Sequence, residues 1–212
     1  MIFKINTRLN RLIRIAAILE LIIVLIYDLA LMMNKSEGRL INYLSIAGEI
    51  LSFTLLLYII SVLNFFKERN IIGIAFFIYM IAEFAFSVSV VILFLIPSSA
   101  QFGLTSVSIL GVLVLFAALF IFIMSFFIQN QFIFQPLLLY SGSLASVLIS
   151  IFLITTVFPL IDPKDAGSLH SILLMRKAIN WVSLLSTLAP LAVILLTVRV
   201  NQFILNQQAV DM

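Results

Sequence analysis

Four carboxyl groups lie inside long apolar stretches of this sequence, where a charged side chain is energetically costly. They are Glu20, Asp28, Glu49 and Glu83, and all of them fall in the first three apolar stretches. An ionised carboxylate at the middle of a membrane helix costs about 2.5–3.5 kcal/mol on insertion scales, so such residues are expected to face protein or water. The chemistry open to them is proton exchange, cation binding or recognition of a polar substrate.

Polar residues accompany these carboxyl groups at helical spacing. Tyr79 and Ser87 lie one turn before and one turn after Glu83, and residues four apart share a helix face. Glu49 and Glu20 each belong to a similar polar stripe on their own helix. If the three stripes face each other, the three carboxyl groups share one low-dielectric space and cannot all be charged. The candidate ion, proton or polar-substrate site therefore comprises Glu83, Glu49, Glu20, Tyr79 and Ser87.

A structural role is the alternative for each carboxyl group. A protonated carboxyl can donate a hydrogen bond to a neighbouring helix, and such interhelical bonds contribute about 0.6 kcal/mol on average. Glu20 and Asp28 lie nearer the ends of their predicted helix, where the side chain can snorkel to the interface, so the structural role is favoured for them. For Glu49 and Glu83 both interpretations stay open.

The elements that must position these groups are membrane helices. Of the 212 residues, 64% are hydrophobic and only 10% are charged, and the mean hydropathy is +1.28, whereas soluble proteins carry about 25% charged residues. A spanning helix needs about 20 mostly apolar residues. The sequence predicts an all-α integral membrane protein, a bundle of about six transmembrane helices with short loops, forming one polytopic domain over 1–212. The predicted helices cover 12–33, 40–64, 71–96, 104–128, 136–160 and 178–200.

Residues 1–11 have the pattern of an amphipathic segment. Lys4, Arg8 and Arg11 fall on one helical stripe, and Ile5 and Leu9 fall on another. Such a segment lies along a membrane interface with its basic side towards anionic headgroups. The preferred interpretation is that these charges only set topology, because Lys and Arg are enriched on the cytoplasmic side. Seven basic residues share the side of both termini and five lie on the other side, which predicts cytoplasmic termini in the cell (inner) membrane.

The second half of the sequence carries small residues and prolines within its apolar stretches. Gly142 and Ser146, four apart in the fifth helix, allow another helix to approach closely. Pro190, in a polar stripe of the sixth helix, leaves the carbonyl of Ser186 without its usual donor and should kink the helix. It is a candidate hinge, because discontinuous helices often line transporter sites, although proline is also ordinary in membrane helices. Pro136 suits the first position of the fifth helix.

A short motif of asparagine followed by phenylalanine recurs three times. It reads Asn64-Phe65-Phe66, then Asn130-Gln131-Phe132, then Asn201-Gln202-Phe203, and each copy closes a predicted even-numbered helix. The spacing suggests three helical hairpins in series, with two inverted three-helix repeats as the alternative. Chance matches are easy in a chain with 20 phenylalanines.

No residue pattern specifies a cofactor or a known catalytic centre. The absence of cysteine excludes disulfides and thiolate metal sites, and the single histidine excludes a bis-histidine haem within the chain. Common catalytic and phosphate-binding motifs are missing. No cofactor or metal site is therefore expected. The net charge of +3 reflects basic residues at helix ends and gives no reason to expect a nucleic-acid partner.

Two classes of function remain. The first is an accessory, scaffold or interaction subunit of a membrane assembly, whose partners would be the lipid bilayer and another protein or a second copy of the chain. The alternative is a small proton- or cation-coupled transporter or channel that uses the carboxyl groups of helices one to three, with a small molecule or ion as substrate. An intramembrane enzyme is the least favoured class, so the chain is not expected to be an enzyme.

Overall fold

The computed structural model describes residues 3–33, 39–95, 100–161 and 169–210, and these form helices joined by short turns. Because no strand occurs within these four ranges, the predicted all-α bundle is confirmed. The helices are α1 (Thr7–Met32), α2 (Arg39–Phe65), α3 (Asn70–Leu95), α4 (Ala100–Ser125), α5 (Gln131–Ile161), α6 (Leu169–Ser183) and α7 (Leu188–Val210), with a 3₁₀ turn at Leu184–Thr187 between the last two.

Five helical segments are long and apolar enough to cross a membrane, so the chain is an integral membrane protein. α1 is not among them, although its 26 residues are sufficient in length, and it carries three arginines and two carboxyl groups. Together with α1, the five apolar segments make six long helical segments, in agreement with the predicted bundle of about six helices. The five segments are Tyr43–Phe65, Asn70–Val90, Val107–Ser125, Gln131–Thr156 and Leu173–Ala209.

The helices pack in the order in which they occur in the chain and close into a ring. From α1 to α5 each helix packs against the next, α5 packs against α6 and α7, and α7 returns to α1. α1 and α2 are antiparallel, because Asn10 contacts Tyr58 while Ile23 faces Gly48. α1 therefore runs alongside its neighbours through the bundle despite its charged residues.

Buried apolar side chains are concentrated in one half of the bundle's length. Among the described residues they fall at 5–17, 55–63, 72–79, 114–128, 133–145 and 189–200. We call this region the closed half. It adjoins the end of the bundle where the N-terminal segment, the turns at 66–69 and 126–130, and the last turns of α7 come together. Elsewhere, large apolar side chains such as Leu25, Phe84 and Phe152 stay exposed, as expected where lipid is the solvent.

Four phenylalanines pack together at the outer end of the closed half. The ring centroids of Phe66 and Phe132 lie 4.9 and 5.5 Å from that of Phe203, and Phe65 lies 6.3 Å from the same ring. Aromatic pairs in such arrangements contribute about 0.5–1.5 kcal/mol beyond the area they bury. The recurring asparagine–phenylalanine motif therefore marks one end of the bundle, where its three copies meet.

The fifth helix begins five residues earlier than predicted. The side-chain oxygen of Asn130 accepts the N–H of Phe132 at 2.9 Å and so caps the helix, which starts at Gln131 rather than at Pro136. The Glu68 carboxylate, from the turn between α2 and α3, accepts the N–H of Asn130 at 2.8 Å. This tertiary contact holds the cap in place, and the second copy of the motif opens α5 instead of closing α4.

The N-terminal residues from Phe3 onwards contact the bundle, since the Phe3 N–H donates to the Ser61 hydroxyl at 3.1 Å. Asn6 accepts the N–H of Leu9 on its side-chain oxygen at 2.8 Å, so α1 is capped and begins at Thr7, within the predicted segment 1–11. Ile5 is buried in the core of the closed half. Ile5 and Leu9 of this segment therefore contact the protein, and the orientation of its basic side towards lipid headgroups stays a prediction.

Candidate functional site

Carboxyl groups from three helices surround one cavity near the middle of the bundle. The cavity has a volume of about 310 Å³, and it is lined by Glu20 of α1, Glu49 of α2 and Glu83 of α3. Glu20 and Glu83 each lie close enough to Glu49 to interact with it electrostatically, and also interact with each other. The polar stripes of α1, α2 and α3 therefore face the same space.

Glu20 lies at the middle of α1, not near its end. The capped start at Thr7 places Glu20 about 20 Å along the helix at 1.5 Å per residue. Its side chain is 7% exposed, and its Oε2 atom has no hydrogen-bond partner among the described residues. The expectation that Glu20 snorkels to the interface is therefore wrong.

Asp28 lines the same cavity, about 12 Å further along α1. It is only 2% exposed, although it lies one turn from the helix end. The hydroxyl of Ser183, from α6, lies 2.8 Å from Asp28 Oδ1, and Oδ2 has no partner within the described part of the chain. Snorkelling is wrong for Asp28 too, because the end of α6 covers it.

Tyr79 and Ser87 contact two different carboxyl groups. The Ser87 hydroxyl donates to Glu49 Oε2 at 3.0 Å. It therefore links α3 to α2 instead of forming a hydrogen bond with Glu83 on its own helix. Tyr79, which is 2% exposed, lies beside the Glu83 carboxyl group on α3. Glu83 keeps one buried oxygen, Oε2, without a hydrogen-bond partner among the described residues.

The opposite wall of the cavity comes from helices that the sequence analysis did not connect with the carboxyl groups. Tyr140 of α5 lies beside Glu20 and Glu83, and Ser183 and Ser186 line the wall from the last part of the chain. Ser183 belongs to the polar stripe of the sixth predicted helix, so a signal for it existed, whereas Ser186 is not part of that stripe. Tyr140 stands in an apolar stretch, and nothing in the sequence distinguished it. The polar region is thus not confined to helices one to three.

Pro190 lines the cavity at the point where the last long helix is interrupted. In place of one helix over 178–200, the chain forms α6, the 3₁₀ turn Leu184–Thr187, and α7. Because Pro190 has no N–H for the Ser186 carbonyl, backbone N–H groups at the end of the turn donate to the carbonyls of Leu185 and Ser186 instead. The irregularity expected from Pro190 therefore lies in the cavity wall, and its action as a hinge stays a prediction.

The charged groups that line the cavity are all carboxyl groups. None of the described lining residues is lysine, arginine or histidine. Within the ranges that the structure describes, no three histidine, aspartate or glutamate side chains come close enough to hold a metal ion together. The oxygens left unpartnered on Glu20, Asp28 and Glu83 can accept a proton.

Polar contacts join α1 to its neighbours between the cavity and the end of the bundle that holds the N-terminal segment. The Tyr58 hydroxyl donates to Asn10 Oδ1 at 2.9 Å, which connects α2 to α1. Arg14 donates from Nε to the Thr197 hydroxyl at 3.3 Å, which connects α1 to α7. Together with the apolar core, these contacts separate the cavity from that end.

A ring of apolar helices around an acidic cavity defines a polytopic α-helical membrane protein. No family model, no curated protein and no solved structure matches the chain. The geometry of the cavity and of the closed half is therefore what bears on function.

Proposed function

We propose that this chain is a small proton-coupled transporter whose proton-carrying groups are Glu20, Glu49 and Glu83. The observation that carries the proposal is that these groups, from three helices, line one cavity, with buried unpartnered oxygens on Glu20 and Glu83. A buried carboxylate without a partner is destabilising in its charged form, and either a proton or a bound cation relieves that penalty. Exchange of one for the other couples their movements across the membrane.

The position of the cavity supports access from one side at a time. The cavity extends to Ser45, an exposed residue near the start of α2, whereas the closed half lies between it and the other end of the bundle. Because basic residues favour the cytoplasm, we infer that both termini are cytoplasmic and that the cavity faces outward across the cell membrane. Transport then requires the closed half to open, with Pro190 and the adjoining 3₁₀ turn as the hinge.

An accessory subunit has less support from the packing. The Ser141 hydroxyl donates to that of Ser125 at 2.9 Å, and a Cβ atom at Gly142 would lie 3.3 Å from the ring of Phe122. The small residues at these positions thus pack α5 against α4 within the chain. Native mass spectrometry in mild detergent tests the alternative, because a stoichiometric foreign partner would replace the transporter proposal with that of a subunit.

Proton binding in the cavity can be measured without knowing the substrate. Proteoliposomes on a solid-supported membrane receive a pH jump, and the transient charge displacement is recorded. We expect the wild type to give a displacement that Glu20→Gln and Glu83→Gln each reduce severalfold. Glu68→Gln is the matched control and should leave it unchanged, because Glu68 lies in a turn, where it accepts the N–H of Gln129 at 3.1 Å.

Folding of each variant is checked by size-exclusion chromatography and circular dichroism before the comparison is made. An absent displacement in the wild type, or an equal displacement in the wild type and both cavity variants, would refute the proposed role of the carboxyl groups.

A further inference from the structure

We infer that the cavity binds an organic cation, an amine or quaternary ammonium group carried on an apolar body. The inference rests on the proposed function, since it names the substrate class of the proposed transporter. It starts from the size of the cavity, about 310 Å³, which is within the range of about 300–1,000 Å³ for pockets that hold small molecules. A single inorganic ion would leave most of this volume unfilled.

Two buried carboxyl groups of α1 call for a ligand with positive charge. Glu20 and Asp28 are 7% and 2% exposed, both line the cavity, and each has one oxygen without a partner in the described residues. Buried polar atoms are nearly always hydrogen-bonded, and an unpaired one is costly. Since no basic side chain is found among the described lining residues, a cationic ligand in the cavity would supply the positive charge that these two carboxyl groups lack.

The composition of the walls favours an organic cation over a metal ion. The described residues hold no group of three histidine, aspartate or glutamate side chains that could share a metal ion. Tyr27 and Tyr140 line the cavity together with the aliphatic side chains of Ile23 and Leu144. Aromatic faces attract ammonium groups, while aliphatic side chains bury an apolar body.

A groove on the outer surface of the ring offers such a ligand a route from the lipid. The groove has a volume of about 280 Å³, lies between α2 and α3, and is lined by Phe53, Phe84 and other apolar side chains. Glu49 lines both this groove and the central cavity. A cation dissolved in the membrane through its apolar body therefore meets Glu49 before it enters the ring.

Binding can be tested with a pair of ligands of the same shape that differ in charge. Radiolabelled benzyltrimethylammonium is equilibrated with the purified full-length protein in detergent, with empty micelles as blank, and unlabelled neopentylbenzene, its neutral carbon isostere, is the competitor. We expect saturable binding of the cation and competition by the neutral compound that is weaker by about 30-fold or more, which corresponds to about 2 kcal/mol for an unpaired buried charge.

Variants then locate the bound cation. Glu20→Gln and Asp28→Asn should each weaken binding of benzyltrimethylammonium by about 30-fold, and Glu68→Gln should leave it unchanged. If one cavity variant fails to fold, cation binding by the other variant still tests the inference. The comparison of benzyltrimethylammonium with neopentylbenzene on the wild type tests it as well. Absence of saturable binding, equal competition by neopentylbenzene, or Glu20-dependent binding of Mn²⁺ in preference to the organic cation would each overturn the inference.

The outcome is separable from that of the pH-jump experiment. A carboxyl-dependent charge displacement without cation binding would overturn the substrate class and leave proton binding standing. Cation binding without any charge displacement would do the reverse, since the cavity would then be an organic-cation site in a protein that does not exchange protons.

Discussion

The hydrogen bond between Tyr58 and Asn10 provides a sharp test of how the closed half is held together. Both side chains are fully buried, and the Tyr58 hydroxyl donates to Asn10 Oδ1 at 2.9 Å. Asn10 Nδ2 has no hydrogen-bond partner among the described residues. Tyr58→Phe removes one oxygen and almost no volume, and it leaves the buried Asn10 amide without either bond.

The expected loss of stability follows from the burial of Asn10, the hydrogen-bond acceptor. An unpaired buried polar group costs about 1–3 kcal/mol, whereas interhelical hydrogen bonds in membrane proteins contribute about 0.6 kcal/mol on average. Because Asn10 is enclosed by protein, we expect Tyr58→Phe to lower the free energy of unfolding by about 1–2 kcal/mol. The double variant Asn10→Leu/Tyr58→Phe removes both polar partners. Its loss in free energy of unfolding should be smaller than the sum of the losses of the two single variants.

The free energy of unfolding is measured by titrating mixed micelles with sodium dodecyl sulfate and following helicity by circular dichroism. Tyr43→Phe is the matched control, since Tyr43 lies on the same helix but is 67% exposed, and its change should stay within about 0.5 kcal/mol. Equal effects of Tyr58→Phe and Tyr43→Phe, or strict additivity in the double variant, would show that this hydrogen bond does not stabilise the closed half.

Two further predictions concern packing and access. Gly73→Ala should raise the free energy of unfolding by the full helix-propensity benefit of about 0.5–1 kcal/mol, because no atom lies within 4 Å of a Cβ at Gly73. Gly142→Ala should raise it by less, because the Phe122 ring lies 3.3 Å from a Cβ at Gly142. Equal gains of the two variants in the same titration would contradict the packing of α5 on α4. In this cysteine-free chain, Ser45→Cys should react with a membrane-impermeant maleimide added outside intact cells, and the fully buried Ser61→Cys should not. Comparable labelling of both would contradict a closed half, and labelling of Ser45→Cys only in inverted vesicles would reverse the orientation.

Much of the fold could be predicted because the length of an apolar stretch is a local property of the chain. α2 and α3, predicted at 40–64 and 71–96, run over Arg39–Phe65 and Asn70–Leu95, since charged and polar residues interrupt the hydropathy on both sides. The depth of Glu83 also followed directly from its position within one apolar stretch. The early start of α5 did not, because the cap at Asn130 is held by Glu68, 62 residues away along the chain.

What the sequence determined by itself is a membrane-embedded helical chain with carboxyl groups at helical spacing from other polar side chains, because hydropathy and periodicity are read over one helix at a time. Only the tertiary structure decided which of these side chains meet. Glu20 and Asp28 are buried against α6 and α7, the Ser87 hydroxyl donates to Glu49, and Tyr140 lies beside Glu83. Each of these contacts depends on how the ring closes, and the order and rotation of packed helices are set by side chains distant in sequence.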